Sequence, residues 1–159
     1  MVSILALHTR LFKTADARSF LDQLSSVCMQ WNASGNGIPV RMVLFSKITD
    51  NETYRTRYKQ ALAMIEEMYP HNTPIFTLVA QAPVDGSGLV LEVHYLPKSE
   101  EWEIQTGRLN SCHYLKVKGA EAEALFLGTA HLACLGGFIY NQAELVFEDI
   151  QTVMELEGL

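Results

Sequence analysis

IFTLVAQAPVDGSGLVLEVHYL, residues 75–96, is the stretch on which the fold turns. Ile75 to Gln81 and Leu89 to Leu96 are two apolar runs of strand length. Val84-Asp85-Gly86-Ser87-Gly88 between them has the turn chemistry of a hairpin. In the second run Leu89, Leu91, Val93 and Tyr95 share one face, while Val90, Glu92 and His94 share the other. A carboxylate on such a strand needs partners, or burial raises its pKa. Glu92 is expected either to form an interface salt bridge with His94, Arg41 or Lys47 or to mark a functional cleft, and these four residues form the candidate site.

Working back from this stretch, Val40 to Ile48 is a further strand, followed by Thr49-Asp50-Asn51-Glu52 as a capping box with Thr49 as the cap. The helix behind it carries Tyr54, Tyr58, Ala61, Leu62, Ile65 and Met68 on one side, and Pro70 and Pro74 bracket its exit. Upstream, Thr14 is the expected N-cap of a helix whose apolar stripe is Phe20, Leu24, Val27, Cys28 and Trp31, ended by the turn-forming run Asn32 to Gly37. Val2 to Phe12 alternates as a half-buried strand, with Leu5, Leu7 and Leu11 on one face and His8 and Arg10 on the other. The order β-α-β-α-β-β is complete by about Leu96. It predicts an α+β sheet with both helices on one face and the other face bare, an arrangement that buries itself by oligomerising.

Beyond Leu96, Pro97 to Glu103 reads as a polar linker, dividing a first unit over 1–97 from a segment over 98–159. Ile104 to Val117 and Leu125 to Ala130 read as strands, Gly136-Gly137 as a loop, and Asn141 as the cap of a last helix with the stripe Ala143, Val146, Phe147, Ile150, Val153 and Met154. A hairpin and one helix bury too little to stand alone, so this segment is expected to extend an edge of the first sheet. Phosphate-cradling glycine loops, nucleophile elbows and Walker patterns do not occur.

Among 159 residues, 48 % are apolar and 19 % charged, enough for a genuine core. A net charge of −6 argues against nucleic acid as a partner. Arg55, Arg57 and Lys59 are expected on a solvated helix face. The start has neither a basic n-region nor a cleavage site, and no apolar run reaches the length of a membrane span, so a cytoplasmic protein without membrane contact is expected. Cys28, Cys112 and Cys134 are widely spaced and fit reduced thiols, with Cys28 on a core stripe. His8, His71, His94, His113 and His131 lack metal-ligand spacing; even the cluster of Cys112, His113 and His131 is not expected to hold a metal, and no cofactor is expected.

At this point the chain resembles the YjgF/Rid family, also called the L-PSP family. Val40 to Asp50 looks like that family's strand running into a T-D helix cap. Val79-Ala80-Gln81-Ala82-Pro83 and Leu89-Val90-Leu91-Glu92 look like its V-A-x-x-P hairpin and terminal acidic strand. A partial second likeness lies in Leu125-Phe126-Leu127-Gly128-Thr129, where the family has S-G-Q, and in Asn141 to Ile150, and it implies that 98–159 is a partial second YjgF-like unit, the alternative being an ordinary C-terminal extension. The resemblance implies the chorismate mutase-like sheet, a homotrimer, and a small-molecule site in clefts between subunits. Catalytic members hydrolyse enamines and imines, with an Arg gripping the substrate carboxylate and a Glu positioning water. Glu92 matches that Glu; the Arg position falls on Pro74, beside Thr73, Ile75 and Phe76, none of which grips a carboxylate bidentately. Classical imine deaminase activity is therefore not expected. Two-repeat chorismatases show that the architecture takes other chemistry, and ribonuclease action is least favoured by the acidic balance.

Overall fold

The computed structural model describes residues 7–15, 19–35, 37–98, 101–110, 112–120, 122–129 and 139–158. β1 (His8–Thr14), α1 (Phe20–Ser34), β2 (Ile38–Ser46), α2 (Asn51–Met68), β3 (Ile75–Val79) and β4 (Leu89–Leu96) follow in the expected β-α-β-α-β-β order. They build a four-stranded sheet in the order β1-β4-β2-β3. The hairpin expectation is corrected here: β3 and β4 are not neighbours. β2 lies between them, parallel to β3 and antiparallel to β4. Leu89, Leu91, Val93 and Leu96 are all at most 1 % exposed, so β4 belongs inside the sheet, and residues 80–88 carry the chain across one end of β2. The turn itself survives, with Gly86 at φ 76 donating its N–H to the carbonyl of Pro83.

Both helices cover one face. Leu24, Val27, Cys28 and Trp31 of α1 and Tyr58, Ala61 and Ile65 of α2 form one core with Met42, Leu44, Phe76, Leu78, Leu89, Leu91, Val93 and Tyr95. The helix starts differ from expectation by a few residues. Thr14 ends β1 and accepts a hydrogen bond from Leu89 N at 3.2 Å; the cap of α1 is Ser19, which accepts from Asp22 N. The cap of α2 is Asp50 rather than Thr49, and accepts from Thr53 N at 2.7 Å. A carboxylate at the positive end of the helix dipole is a stronger acceptor than a hydroxyl. Its bond to the Thr53 amide holds the Asp50 carboxyl below the usual carboxylate range.

The facing of β1 is also corrected. Leu11 is 54 % exposed, and it is Phe12 that packs on the helix core, edge-on to Trp31. Antiparallel pairing sets Phe12 opposite Leu91 and Leu11 opposite Glu92, and a strand's facing follows its register. Arg55 and Lys59 are exposed as expected. Arg57 instead donates to Ser46 Oγ and to the carbonyl of Lys47, with its guanidinium 4.9 Å above the Phe20 ring.

The later segment is a three-stranded antiparallel sheet of β5 (Glu103–Leu109), β6 (Cys112–Lys118) and β7 (Glu123–Thr129), followed by α3 (Ile139–Leu156). The run 104–117 therefore folds back on itself at Asn110, φ 50, and is two strands rather than one. No strand of this sheet pairs with the first sheet among the described residues, so the expected edge extension does not occur. The segment has an apolar face of its own. Leu115 and Val117, flanked by Ile104, Phe126 and Trp102, bury against Val40, Ile75 and Leu96. The first sheet's second face is thus covered at one end rather than bare.

A Cβ on Gly128 would lie 2.5 Å from Ile75 Cγ2, so the absence of a side chain there permits the close approach of β7 to β3. Thr106 Oγ1 donates to the carbonyl of His71, and Arg108 pairs with Glu66 of α2. α3 packs on β6 through Val153, fully buried, and Lys116 bonds Glu157 at 3.2 Å. Of the other described stripe residues, Val146 and Ile150 are half-buried, while Phe147 remains 70 % and Met154 40 % exposed. Asn141 is the third residue of α3 rather than its cap. Leu5, Ala130, His131, Cys134 and Gly136-Gly137 lie outside the described residues.

Candidate functional site

The first sheet's second face is a grid fixed by strand register, covered by the second sheet at Ile75 and open towards β1. Thr9, His94, Arg41 and Ile75 form one row across β1, β4, β2 and β3. Leu11, Glu92, Val43 and Thr77 form the next; Lys13, Val90, Phe45 and Val79 form the third. Side chains directly opposite in such rows have Cβ atoms about 4.5–5.5 Å apart. The alternation read along β4 is therefore realised: Leu89, Leu91, Val93 and Tyr95 sit under the helices, and Val90, Glu92 and His94 face away from them.

Glu92 and His94, two residues apart on this face, are in contact. His94 Nε2 lies 2.6 Å from Glu92 Oε1, and His94 Nδ1 lies 3.2 Å from Thr9 Oγ1 across the strand pair. The side chains are 28 % and 19 % exposed, so the pair sits at the rim of water. Imidazole held between a carboxylate and a hydroxyl has both ring nitrogens oriented, the arrangement that positions a group for proton transfer. Arg41 is opposite His94 in the row, exposed, and without an ion pair among the described residues. Lys47 is not brought to this cluster. It lies past the end of β2, and its carbonyl accepts from Arg57.

Beside Glu92 the face opens into a groove of about 340 Å³. Its floor is Leu11, Phe45, Val90 and Glu92; its wall is the loop from Gln81 to Asp85. Lys13 and Asp85 close one side as an ion pair, and Asp85 also accepts from the Ser87 amide and hydroxyl. The Lys13 ammonium holds the Asp85 carboxyl far below the usual carboxylate range.

Thr9, Lys13 and Asp85 were not legible as site residues. Their facing depends on how β1 registers against β4, and no local pattern encodes that.

Pro74 is buried at the entry to β3 and offers no cation. No three His, Cys, Asp or Glu side chains converge as a metal site among the described residues. Cys112 and His113 are consecutive on β6 and so point to opposite faces. A second cavity of about 250 Å³ lies near Trp31, Pro39, Tyr69 and Lys98. Its Tyr69 hydroxyl is engaged with Trp31 Nε1 at 2.6 Å and with Asn32 Oδ1 at 3.3 Å.

Compared with protein-family models, with curated proteins and with solved structures, the chain matches none. No helix among the described residues is long and apolar enough to cross a membrane.

Proposed function

We propose that this chain is a Rid-like protein that binds a small molecule over the open face of its first sheet, and that it lacks classical imine deaminase activity. Support comes from one observation above all: a groove floored by Leu11, Phe45 and Val90 ends on the paired carboxylate of Glu92, at the position the resemblance gives to the family's acid. The β-α-β-α-β-β order with both helices on one face agrees with that resemblance. Pro74, at the position of the family's Arg, lacks the charge-assisted contact that grips a substrate carboxylate, a contact worth about 1.5–3 kcal/mol. The half-open apolar face, with Leu11 54 % exposed, is the surface a homotrimer would cover, turning the groove into a cleft between subunits of a cytoplasmic assembly.

The test measures ammonia release from freshly generated 2-iminobutanoate and 2-iminopropanoate, with light scattering on the same sample. Weak or absent release from a trimer is the expected result. Robust release that is lost in Glu92→Ala would overturn the non-catalytic reading, and a clean monomer at micromolar concentration would overturn the assembly. The second reading, a hydrolase of small enamines and imines, is favoured by the 2.6 Å contact between Glu92 and His94, which supplies a carboxylate-paired imidazole for proton transfer.

A further inference from the structure

We infer that the groove selects a small amine: an apolar body carrying one cationic nitrogen that docks on Glu92. This rests on the binding role proposed above and adds the chemical class of the ligand. The charges lining the groove decide it. Lys13 and Asp85 neutralise one another as an ion pair at the side. Glu92 remains, and its acceptor capacity is only partly used. Oε1 meets His94 Nε2, while Oε2 has no hydrogen bond among the described residues. An ionised carboxylate accepts at about four lone-pair positions, so a donor arriving in the groove finds free ones.

The rest of the groove's floor is apolar, namely Leu11, Phe45 and Val90, and the wall adds Ala82, Pro83 and Val84 beside one neutral polar side chain, Gln81. Such a lining takes a hydrocarbon or aromatic body and leaves one polar group to fix its orientation. Phe45 shares a row with Val90, one row from Glu92, so an ammonium held by the carboxylate also lies near an aromatic ring, whose face attracts cations. A carboxylate ligand would meet the opposite field. Among the described residues the one cation lining the groove, Lys13, is held by Asp85, and Arg41 stands one row beyond Glu92, outside the lining. A second acid in the groove would face the Glu92 charge in a partly desolvated place, which costs rather than stabilises.

Isothermal titration of the full chain with three probes of one shape tests this: phenethylamine, 2-phenylethanol and 3-phenylpropionate. Phenethylamine should bind at least about tenfold more tightly than 2-phenylethanol, with 3-phenylpropionate weakest. In Glu92→Gln, a near-isosteric change at a part-exposed position, the amine's advantage over the alcohol should vanish while alcohol binding persists. Alcohol or carboxylate binding as tight as the amine would overturn the inference and leave the groove standing as a binding site. An amine advantage that survives Glu92→Gln would also overturn it. No binding of any probe would remove both the inference and the groove reading on which it rests.

Discussion

Gly128→Ala tests how the two sheets meet. The added Cβ would stand 2.5 Å from Ile75 Cγ2, about an ångström inside ordinary carbon–carbon contact. Ile75 is 1 % exposed and packs among Val40, Leu96, Leu115 and Val117, so it has little room to yield. Overpacking of this kind costs about 1–3 kcal/mol. Replacing glycine within a strand returns roughly 0.5–1 kcal/mol of that. The expected net destabilisation therefore lies between about 0 and 2.5 kcal/mol. Ile75→Ala alone empties part of the same contact and should cost about 2–5 kcal/mol. In the double variant the new methyl enters the space that Ile75 vacated, so the two losses should sum to more than the double variant shows, by roughly 1 kcal/mol.

Urea unfolding followed by tryptophan fluorescence reads all four proteins. Trp31 lies in the helix-covered core and Trp102 packs against the second cluster, so Trp31→Phe and Trp102→Phe backgrounds report the two regions separately. Strictly additive losses would refute the claim that β7 bears on β3 at this point.

Two further outcomes follow from the local chemistry. Ser19→Ala should destabilise by about 1 kcal/mol, because the α1 cap is lost; an unchanged unfolding midpoint for Ser19→Ala would place the helix start elsewhere. Cys28 is 3 % exposed, and burial pushes its thiol from 9.0 up to about 11. The folded chain therefore holds that proton more tightly than the unfolded chain. This contribution is fully present below pH 9 and is lost as pH rises towards 11, by roughly 3 kcal/mol. Urea midpoints measured from pH 8 to 11 should fall more steeply for the wild type than for Cys28→Ala, and parallel curves would contradict the burial.

Local pattern was enough for what local physics controls. The stripes Leu24-Val27-Cys28-Trp31 and Tyr58-Ala61-Ile65 follow helical spacing and are buried. The two faces of β4 follow strand alternation, which put Glu92 and His94 on one side before any partner was known. What required the tertiary structure was every choice of neighbour. β2 rather than β3 lies beside β4, since a turn sequence states that the chain bends but not which strand receives it. Leu11 rather than Phe12 faces the groove, because a one-residue difference in pairing exchanges a strand's faces. Thr9 comes to His94, and Lys13 to Asp85, across 85 and 72 residues of chain. The second sheet packs its face on Ile75 and Leu96 instead of adding a strand, since its own apolar side had to be buried somewhere. Periodicity is written in consecutive residues, whereas register and docking come from burial summed over segments far apart in the chain, and so only the folded chain decides them.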